Sequence, residues 1–458
     1  MELQQIKKAH FIGVGGIGVS AIIRLFSEKG ISISGSDVDL PKGATFPHGQ
    51  YYRGHEASHV TDDVSVVIYS PAVPDHNPER VRAHELAIPQ MSYPEALAMV
   101  TCGHPTIAVS GTHGKSTTTA ILGKLFEAGG MDASVIVGAE VSGWDHNYHH
   151  GEGDMFIVEA CEYRRHMLCL EPQAILLTNL ELDHPDYYHD LADIKNAFRE
   201  YIEKLRGEDL LIINNDDANI RDITRDFDAI IVRYGVGDGA DLYARNVTQT
   251  PLEQSFELMW KGTSIGVFTT PLPGLYNVYN ILAAIATYLA YGGRIESIQS
   301  VLTAFLGVGR RFEVLGVISG SEGGATIVSD YAHHPTALKA VVDAALLRYK
   351  GKNVLTVFRP HHRERTIKLM DEFVTTMLGI PHSILIEIYD VAGREEDTPV
   401  SSRDVIQKVL THNPRLDIVY ANDLAEAEQL IRAKATLFDV ILVIGAGDAD
   451  VLARKLIA

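Results

Sequence analysis

Short apolar runs alternate with longer amphipathic stretches along most of the chain. Near its beginning, strand-like runs at residues 10–12, 31–34 and 66–69 accompany a helical pattern at 19–28. Alternation of this kind is typical of βα units built around a parallel sheet. The first hundred residues are therefore predicted to form an α/β unit.

The same alternation starts again twice further along the chain. The second cycle has strand patterns at 106–109, 155–159 and 174–178 and a helical pattern at 116–128. The third predicts strands at 326–329, 353–358, 383–388 and 440–444 and helices at 337–346 and 367–377. We expect boundaries near residues 103 and 309, which gives an α/β protein with three domains at 1–103, 104–309 and 310–458.

Composition supports a folded protein and excludes some partners. The 458 residues are 46% hydrophobic and 22% charged, as in ordinary globular proteins. The formal net charge is -19, so the average surface field repels nucleic acid backbones and anionic membranes. A phosphorylated small ligand would have to be bound by local features such as glycine-rich loops and helix N-termini.

The cysteines and the apolar segments predict a cytoplasmic location. Three cysteines without CxxC spacing suit a reducing compartment. The longest apolar run, around residues 281–289, is well short of the ~20 residues that span a bilayer. The chain begins with charged residues and without a segment of signal-peptide type.

A first glycine-rich loop, Gly13-Val14-Gly15-Gly16-Ile17-Gly18, lies between a predicted strand and a predicted helix. It fits the GxGxxG pattern, in which glycine lets the backbone approach a pyrophosphate. Asp37 follows the second strand, where dinucleotide enzymes place a carboxylate on a ribose hydroxyl. These features alone indicate an NAD-dependent oxidoreductase, and the alternative is a glycine-rich turn that serves only packing.

A second loop, with the sequence SGTHGKST at residues 110–117, follows a strand and opens a helix. Gly-Lys-Ser is the core of a P-loop, although Val109 replaces the first glycine of the strict pattern. Lys115 is predicted to neutralise phosphate oxygens, and the Ser116 hydroxyl is predicted to bind magnesium. Two such loops in separate domains indicate two phosphorylated ligands, whereas a dehydrogenase needs one.

Acidic and histidine side chains follow two later strands. Glu159 ends one predicted strand, and His184 follows the next. Since open α/β sheets place their sites at the carboxyl ends of parallel strands, both are expected to face the P-loop. The alternative is that Glu159 is a solvated strand-end carboxylate and His184 a turn residue. Cys161 has no base beside it and is interpreted as a packing residue.

These motifs, taken in order, resemble the Mur ligase family over nearly the whole chain. The matching segments are HFIGVGGIGVS at 10–20, SGSD at 34–37, SPAVPDHNPE at 70–79, SGTHGKSTTT at 110–119, VEACEYRRH at 158–166, TNLELDHPDYY at 178–188, PGLYNVYN at 273–280, GRRFE at 309–313, DYAHHPT at 330–336, FRPHHRERT at 358–366 and GAGD at 445–448.

The resemblance implies a Rossmann-like N-terminal domain that binds a UDP-sugar, a central P-loop domain that binds ATP, and a Rossmann-like C-terminal domain that binds an amino acid. It also implies ATP and Mg²⁺ as cofactors. The expected reaction joins L-alanine to UDP-N-acetylmuramate for peptidoglycan. The alternative within the family is a recycling ligase that adds a tripeptide to the same UDP-sugar.

The resemblance also implies roles for individual residues. The implied catalytic residues are Lys115, Glu159, His184 and Arg311. The implied ATP contacts are Gly111, Thr112, His113, Gly114, Lys115, Ser116, Thr117, Asn277, Asn280, Arg311, Asp330 and His334. The implied UDP-sugar contacts are Gly15, Gly16, Ile17, Gly18, Asp37 and Ser70. His361 and Arg365 are implied as amino-acid contacts, and Ser116, Glu159 and His184 as metal ligands.

Two pairs of adjacent histidines, His149-His150 and His333-His334, raise the possibility of a transition-metal site. Loop histidines next to glycine and acidic residues are usually solvated, and magnesium prefers oxygen ligands. Both pairs are therefore expected to be solvated.

Overall fold

The computed structural model describes residues 3–38, 40, 46–227, 229–318, 324–390 and 399–458, which fold around three separate sheets. The strands are β1 Lys8–Ile12, β2 Ser32–Asp37, β3 Gln50–Arg53, β4 Val66–Tyr69, β5 Gln90–Ser92, β6 Thr106–Ser110, β7 Ala133–Ile136, β8 Tyr148–His149, β9 Met155–Glu159, β10 Ala174–Leu177, β11 Leu210–Asn214, β12 Ile230–Val236, β13 Leu242–Gln249, β14 Gln254–Trp260, β15 Thr263–Thr270, β16 Glu313–Val317, β17 Thr326–Asp330, β18 Val354–Arg359, β19 His382–Ile386, β20 Asp417–Ala421 and β21 Val440–Gly445. The α-helices are α1 Ile17–Glu28, α2 Pro78–Glu85, α3 Tyr93–Thr101, α4 Lys115–Gly129, α5 Leu191–Ile202, α6 Ala218–Ile223, α7 Leu275–Ala290, α8 Ile298–Ala304, α9 Pro335–Arg348, α10 Arg363–Lys368, α11 Met370–Leu378, α12 Ser402–His412, α13 Leu424–Lys434 and α14 Ala449–Ile457.

The first sheet has the order β3-β2-β1-β4-β5, and all of its described pairs are parallel. The central strands β1 and β4 are buried, as expected for a parallel sheet covered on both faces. The strand order reverses at β1, so the loop that follows β1 opens into the crevice where doubly wound sheets bind ligands. This loop is the first glycine-rich segment.

The second sheet has ten strands in the order β15-β14-β13-β12-β11-β10-β6-β9-β7-β8. Strands β7, β9, β6, β10, β11, β12 and β13 run parallel, and an antiparallel meander of β13, β14 and β15 extends one edge. The P-loop follows β6, which lies between β9 and β10. The ends of these neighbouring strands therefore place Glu159 and the segment after Leu177 beside the P-loop.

The third sheet has the order β16-β17-β21-β18-β19-β20 and is parallel except for β16. Separate apolar clusters cover its two faces. In contrast, one apolar cluster contains residues of both the first and the second units, among them Phe11 and Val19 of the first and Tyr148 and Met167 of the second. The first two units therefore share apolar packing.

The α/β class with three sheets confirms the predicted fold class, but two details differ from the sequence-based expectations. The helix expected at 367–377 is broken at Leu369, whose φ and ψ of -111° and 28° are not helical. Leu369 is buried in the core, α10 carries contacts to the middle unit, and α11 packs Phe373 against Phe358. The antiparallel strands β14, β15 and β16 were not anticipated, because they are only partly buried and lack the continuous apolar character of the buried parallel strands. Among the described residues, none of the helices combines the length and the apolarity needed to cross a bilayer.

Candidate active site

The loop between β6 and α4 has backbone geometry that requires glycine. Gly111 has a φ of +130°, and a Cβ atom there would lie 2.1 Å from Oγ1 of Thr178. Gly114 has a φ of +84° and immediately precedes α4. The amide nitrogens of Thr112 and His113 donate to the backbone oxygen and the side-chain oxygen of Asn179, at 3.0 and 2.8 Å. The strand-end segment after β10 therefore fixes the shape of the P-loop.

Lys115 is held by a buried carboxylate. Its Nζ donates to Glu162 Oε2 at 2.8 Å and to the backbone oxygens of Gly111 and Thr112 at 2.6 and 3.1 Å. Burial lowers the pKa of Lys115, but the nearby acidic groups together outweigh it and raise the pKa above the ordinary value, with the charge and hydrogen bond of Glu162 as the main opposing influence. For Glu162, burial opposes ionisation, but Lys115 and then His184 bring its pKa down to about 2. The two side chains are therefore an ion pair.

Glu162 also contacts His184, which was expected near Glu159. Nε2 of His184 lies 3.2 Å from Glu162 Oε1, and His184 has a strained φ of +54°. The Glu162 side chain is 1% exposed. Glu162 was not among the site residues predicted from the sequence. It lies three positions after Glu159 in the same loop at the end of β9, so the reasoning from strand ends could have found it.

Glu159 contacts Ser116, the residue that follows the P-loop lysine. Its Oε2 accepts a hydrogen bond from Ser116 Oγ at 3.2 Å, and its Oε1 accepts one from the backbone of Gly138. Burial raises the pKa of Glu159 despite that backbone bond and the nearby charges of Lys115 and Arg311. Of the three predicted metal ligands, the structure brings Ser116 and Glu159 into contact and places His184 against Glu162.

The two asparagines of α7 lie directly over the P-loop. A Cβ atom on Gly114 would lie 2.2 Å from Oδ1 of Asn280. Asn280 donates to Asn277 Oδ1 at 3.1 Å, and Asn277 donates to the Pro273 oxygen at 2.8 Å. Both amides are buried and line the cleft.

Groups from the third sheet complete the same cleft. Arg311 lies 5.0 Å from the Tyr331 ring centre, and its charge acts on both Glu159 and Asp330. Asp330, at the end of β17, accepts hydrogen bonds from the amides of Phe312 and Ala332 at 2.7 Å each. Burial raises the pKa of Asp330 although Arg311 opposes this.

Arg365, predicted to contact an amino acid, forms an ion pair between the second and third units. Its Nε and Nη2 donate to Asp183 Oδ1 at 2.9 and 2.6 Å, and the residue is 1% exposed. Burial opposes ionisation of Asp183, but Arg365 holds its pKa well below the ordinary value. His361 lies beside Arg365 and stacks on Tyr389 at 5.5 Å. Asp183 was not among the predicted site residues.

The first glycine-rich loop is held by the carboxylate of Asp37, at the end of β2. Gly13 has a φ of +88°, and a Cβ atom there would lie 2.9 Å from Ser70. The Gly15 amide donates to Asp37 Oδ2 at 2.8 Å, which places these two predicted UDP-sugar contacts together. Gly18 lies in α1 and has little room for a side chain, since a Cβ atom would meet the Tyr93 ring at 2.8 Å.

The three units enclose one cleft of about 1460 Å³. Most of the predicted site residues line it, namely Gly15, Ile17, Thr112, His113, Gly114, Lys115, Ser116, Thr117, Glu159, His184, Asn277, Asn280, Arg311, Asp330, His361 and Arg365. The remaining predicted residues are not among those that line it, namely Gly16, Gly18, Asp37, Ser70, Gly111 and His334.

Two interpretations of single residues were wrong. Cys161 is exposed on the cleft wall instead of packed in a core, because it follows β9 in the loop that faces the P-loop. The protein surrounding this thiol, and then the charge of Glu162, raise the pKa of Cys161 to about 12. His334 is not solvated but 5% exposed, because it begins α9 against the middle unit.

The three sheets and their shared cleft define a multidomain α/β enzyme, and comparison with known proteins identifies its family. Residues 8–104 match the profile described as Mur ligase family, catalytic domain, residues 109–288 match the Mur ligase middle domain, and residues 310–447 match the Mur ligase glutamate ligase domain. The chain belongs to the Mur ligase family.

Individual relatives agree with this assignment. A protein of Alkaliphilus metalliredigens named UDP-N-acetylmuramate--L-alanine ligase is 35% identical over 468 residues, which covers 100% of this chain and 98% of the relative. The crystal structure of UDP-N-acetylmuramate-alanine ligase from Thermotoga maritima has a TM-score of 0.80 at 24% identity, with 98% of each chain covered. A murein peptide ligase from Psychrobacter arcticus gives 0.73 at 21% identity, again over 98% of each chain. These two structures show a shared fold.

Proposed function

We infer that the chain is an ATP-dependent ligase that forms an amide between the lactyl carboxylate of UDP-N-acetylmuramate and L-alanine. The observation that carries this inference is the single cleft that is lined by the P-loop, Glu159, the buried Glu162 and Arg311. The 35% identity over the full length to an L-alanine ligase supports the choice of substrates. The cellular setting that follows is the cytoplasmic synthesis of peptidoglycan precursors.

The three units are assigned separate substrates. Residues 1–103 bind the UDP-sugar, because their glycine-rich loop and Asp37 meet at a reversal point of strand order. Residues 104–309 bind ATP at the P-loop, with Asn277 and Asn280 above it. Residues 310–458 supply Arg311 and Asp330 to the nucleotide and His361 to the amino acid.

Activation of the carboxylate is the first chemical step. A carboxylate is a poor electrophile, so one of its oxygens attacks the γ-phosphorus of ATP, which gives an acyl phosphate and ADP. The amine of L-alanine then attacks the acyl carbon, and the tetrahedral intermediate expels phosphate and loses a proton. A free α-amino group has a pKa of ~8, so an appreciable fraction is already neutral. His184 or the acyl phosphate itself accepts the proton.

The main electrostatic difficulty is that two anions must meet. Lys115 and Arg311 place positive charge where the negative charge of the transition state develops. In the ligand-free arrangement Lys115 is paired with Glu162, so a triphosphate entering the loop replaces a carboxylate as its partner. Glu162 remains close enough to His184 to hold the imidazole.

Mg²⁺ fits the side chains on this wall of the cleft. The Ser116 hydroxyl and the Glu159 carboxylate are oxygen donors 3.2 Å apart, and oxygen is what magnesium prefers. We propose that Ser116 and Glu159 hold Mg²⁺, with His184 and Glu162 as the neighbouring donors. When bound, the cation supplies positive charge to the phosphate oxygens.

Two alternatives receive less support. A recycling ligase that takes a tripeptide would use the same cleft, but relatives that are 31–35% identical over 96–100% of this chain are named UDP-N-acetylmuramate--L-alanine ligases. An NAD-dependent oxidoreductase would use only the first glycine-rich loop and would leave the P-loop, Glu159 and Glu162 without a role.

One assay distinguishes these functions. ADP release is measured with UDP-N-acetylmuramate and L-alanine, glycine, L-serine or the tripeptide as amine, and NADH absorbance is followed separately. We expect ADP release with L-alanine that depends on the UDP-sugar. Faster release with the tripeptide would favour the recycling ligase, and NADH turnover without ADP release would reject the ligase.

A further inference from the structure

A group of three metal-binding side chains lies beside the P-loop but outside the Ser116 and Glu159 site. It consists of His113 in the P-loop, Glu181 in the segment after β10, and His334 at the N-terminus of α9. One ligand atom from each residue lies within 4.8 Å of the other two. Two of the residues belong to the second unit and one to the third.

The distances within this His113–Glu181–His334 cluster suit a small cation. Nε2 of His113 lies 2.5 Å from Glu181 Oε1, and Nδ1 of His334 lies 3.8 Å from the same oxygen. Zinc bonds of 2.0–2.2 Å in tetrahedral geometry place neighbouring ligand atoms about 3.4 Å apart. Binding a cation therefore requires the distance from His113 to Glu181 to increase by about 1 Å, to reach the ideal separation. The distance from His334 to Glu181 has to decrease by less than that.

The surroundings of His334 select the nitrogen that a metal needs. Its Nε2 lies 3.2 Å from the backbone oxygen of Leu182, which can only accept a hydrogen bond. Nε2 therefore carries the proton. The Nδ1 lone pair accepts the Thr336 amide at 3.3 Å and lies 3.8 Å from Glu181 Oε1, so a cation bound to Nδ1 replaces that amide. Donation of the second ring nitrogen to a backbone carbonyl is the usual support of a metal-binding histidine. The 5% exposure of His334 fixes the ring in this orientation.

Hydrogen bonds from neighbouring residues also fix Glu181 and His113. Thr336 Oγ1 donates to Glu181 Oε2 at 2.9 Å, which leaves Oε1 directed toward the two imidazoles. The His113 backbone is held by Thr178 Oγ1 and Asn179 Nδ2, at 2.6 and 2.9 Å from its oxygen. Nε2 of His113 is buried, and its close contact with Glu181 is not aligned as a hydrogen bond. This buried polar atom therefore faces the cluster without a well-directed partner.

We propose that His113, Glu181 and His334 bind one divalent cation of the zinc class and thereby connect the P-loop to the third domain. Two imidazoles and one carboxylate suit zinc, cobalt or nickel, whereas magnesium prefers an all-oxygen site. His113 and Glu181 line the cleft, from which water or a solute can reach the cation. The cation holds His334 against the second unit and opposes separation of the two domains. The inference concerns metal binding and does not depend on which substrates the enzyme uses.

A titration of the metal-free protein with Co²⁺ tests this site. We expect one Co²⁺ per chain with the visible absorption of a four-coordinate ion, displaced by Zn²⁺ and unaffected by excess Mg²⁺. Glu181→Gln and His334→Ala should each weaken binding by at least about tenfold, the range of changes in metal-site residues. Thr336→Val should weaken it less, because Thr336 only positions Glu181.

The matched control is His150→Ala, which alters the other adjacent histidine pair. The His150 side chain is 43% exposed, and its Nδ1 lies 3.1 Å from Glu28 Oε2 of α1. This variant should bind Co²⁺ as the wild type does. Circular dichroism checks that each variant is folded, and the near-isosteric Glu181→Gln provides the test if His334→Ala is not.

A second measurement reports the predicted connection between domains. Hydrogen exchange with and without Zn²⁺ should show added protection both in the segment after β10 and at the start of α9, and Glu181→Gln should abolish both effects. The proposal is overturned if Glu181→Gln and His334→Ala bind Co²⁺ with wild-type affinity, or if His150→Ala loses binding as strongly as they do.

Discussion

Glu162 decides the electrostatic state of the P-loop. It binds Lys115 on one oxygen and His184 on the other, and the protein excludes water from all but 1% of its side chain. Buried ion pairs are costly to break, because the remaining charge loses its partner. A phosphate ligand must therefore compete with Glu162 for Lys115, which favours ligands that carry several negative charges.

The depressed pKa of Glu162 makes a prediction about acid stability. Burial opposes ionisation, but Lys115 and His184 lower the folded pKa to about 2, below the usual value of 4.5. The stabilisation is present above pH 4.5 and is lost as the pH falls toward 2. Denaturant unfolding of Glu162→Gln over this range should show a smaller loss of unfolding free energy than the wild type. Glu152→Gln, at an exposed site, should behave like the wild type; equal slopes for Glu162→Gln would contradict the prediction.

The metal assignment predicts a specific kinetic change for Glu159. Glu159→Gln removes one charge beside Ser116, so the Mg²⁺ concentration for half-maximal rate should rise at least about tenfold while ATP binding persists. His184→Ala should shift the same requirement in the same direction. The rate is measured by ADP release over a Mg²⁺ series, with Glu152→Gln as control. Unchanged Mg²⁺ dependence in both variants would return Glu159 and His184 to structural roles.

At the scale of elements, the junction of β6 and α4 depends on glycine at its first position. Gly111 has a φ of +130°, which residues with a side chain essentially do not adopt, and a methyl group would also meet the backbone after β10. Gly130 ends the same helix with a φ of +72° and open space around it. The same substitution therefore has different consequences at the two ends of α4.

We expect Gly130→Ala to cost about 1 kcal/mol, the penalty of a left-handed residue. Gly111→Ala should cost more than about 3 kcal/mol, because backbone strain and steric overlap act together. Thermal and denaturant unfolding measure both costs. Similar losses at the two positions would show that the loop after β6 relaxes around a methyl group.

At the scale of the whole molecule, the ion pair of Asp183 and Arg365 connects the second and third units. The two residues are 182 positions apart in sequence. Removal of either partner leaves a buried charge unpaired, so Asp183→Asn and Arg365→Met should each destabilise the protein by about 3–5 kcal/mol. The double variant should lose clearly less than the sum of the two. A double-mutant cycle from unfolding free energies measures this difference.

The control cycle uses the exposed pair Lys339 and Asp343 within α9. Its coupling should stay below about 1 kcal/mol, as is usual for surface pairs. If the Asp183 and Arg365 cycle gave no larger coupling than this control, the ion pair would not hold the second and third units together.

The sequence by itself determined the parts of this protein that depend on neighbours along the chain. Both glycine-rich loops were recognisable because the required residues follow one another, and the βα alternation predicted the α/β fold. Glu159 was found because it ends a strand next to the P-loop strand. The break at Leu369 was missed, because tertiary contacts of α10 and α11 outweigh a continuous helical pattern.

Only the tertiary structure decided which distant side chains meet. Arg365 was predicted to contact an amino acid, and His334 was predicted both to contact ATP and to belong to a solvated histidine pair. The fold pairs them with Asp183 and Leu182 of the second unit. Glu162 was not predicted, although it is the partner of Lys115. The physical reason is that burial and pairing depend on how separate sheets pack against one another. A local sequence pattern does not show which residues from distant parts of the chain this packing brings into contact.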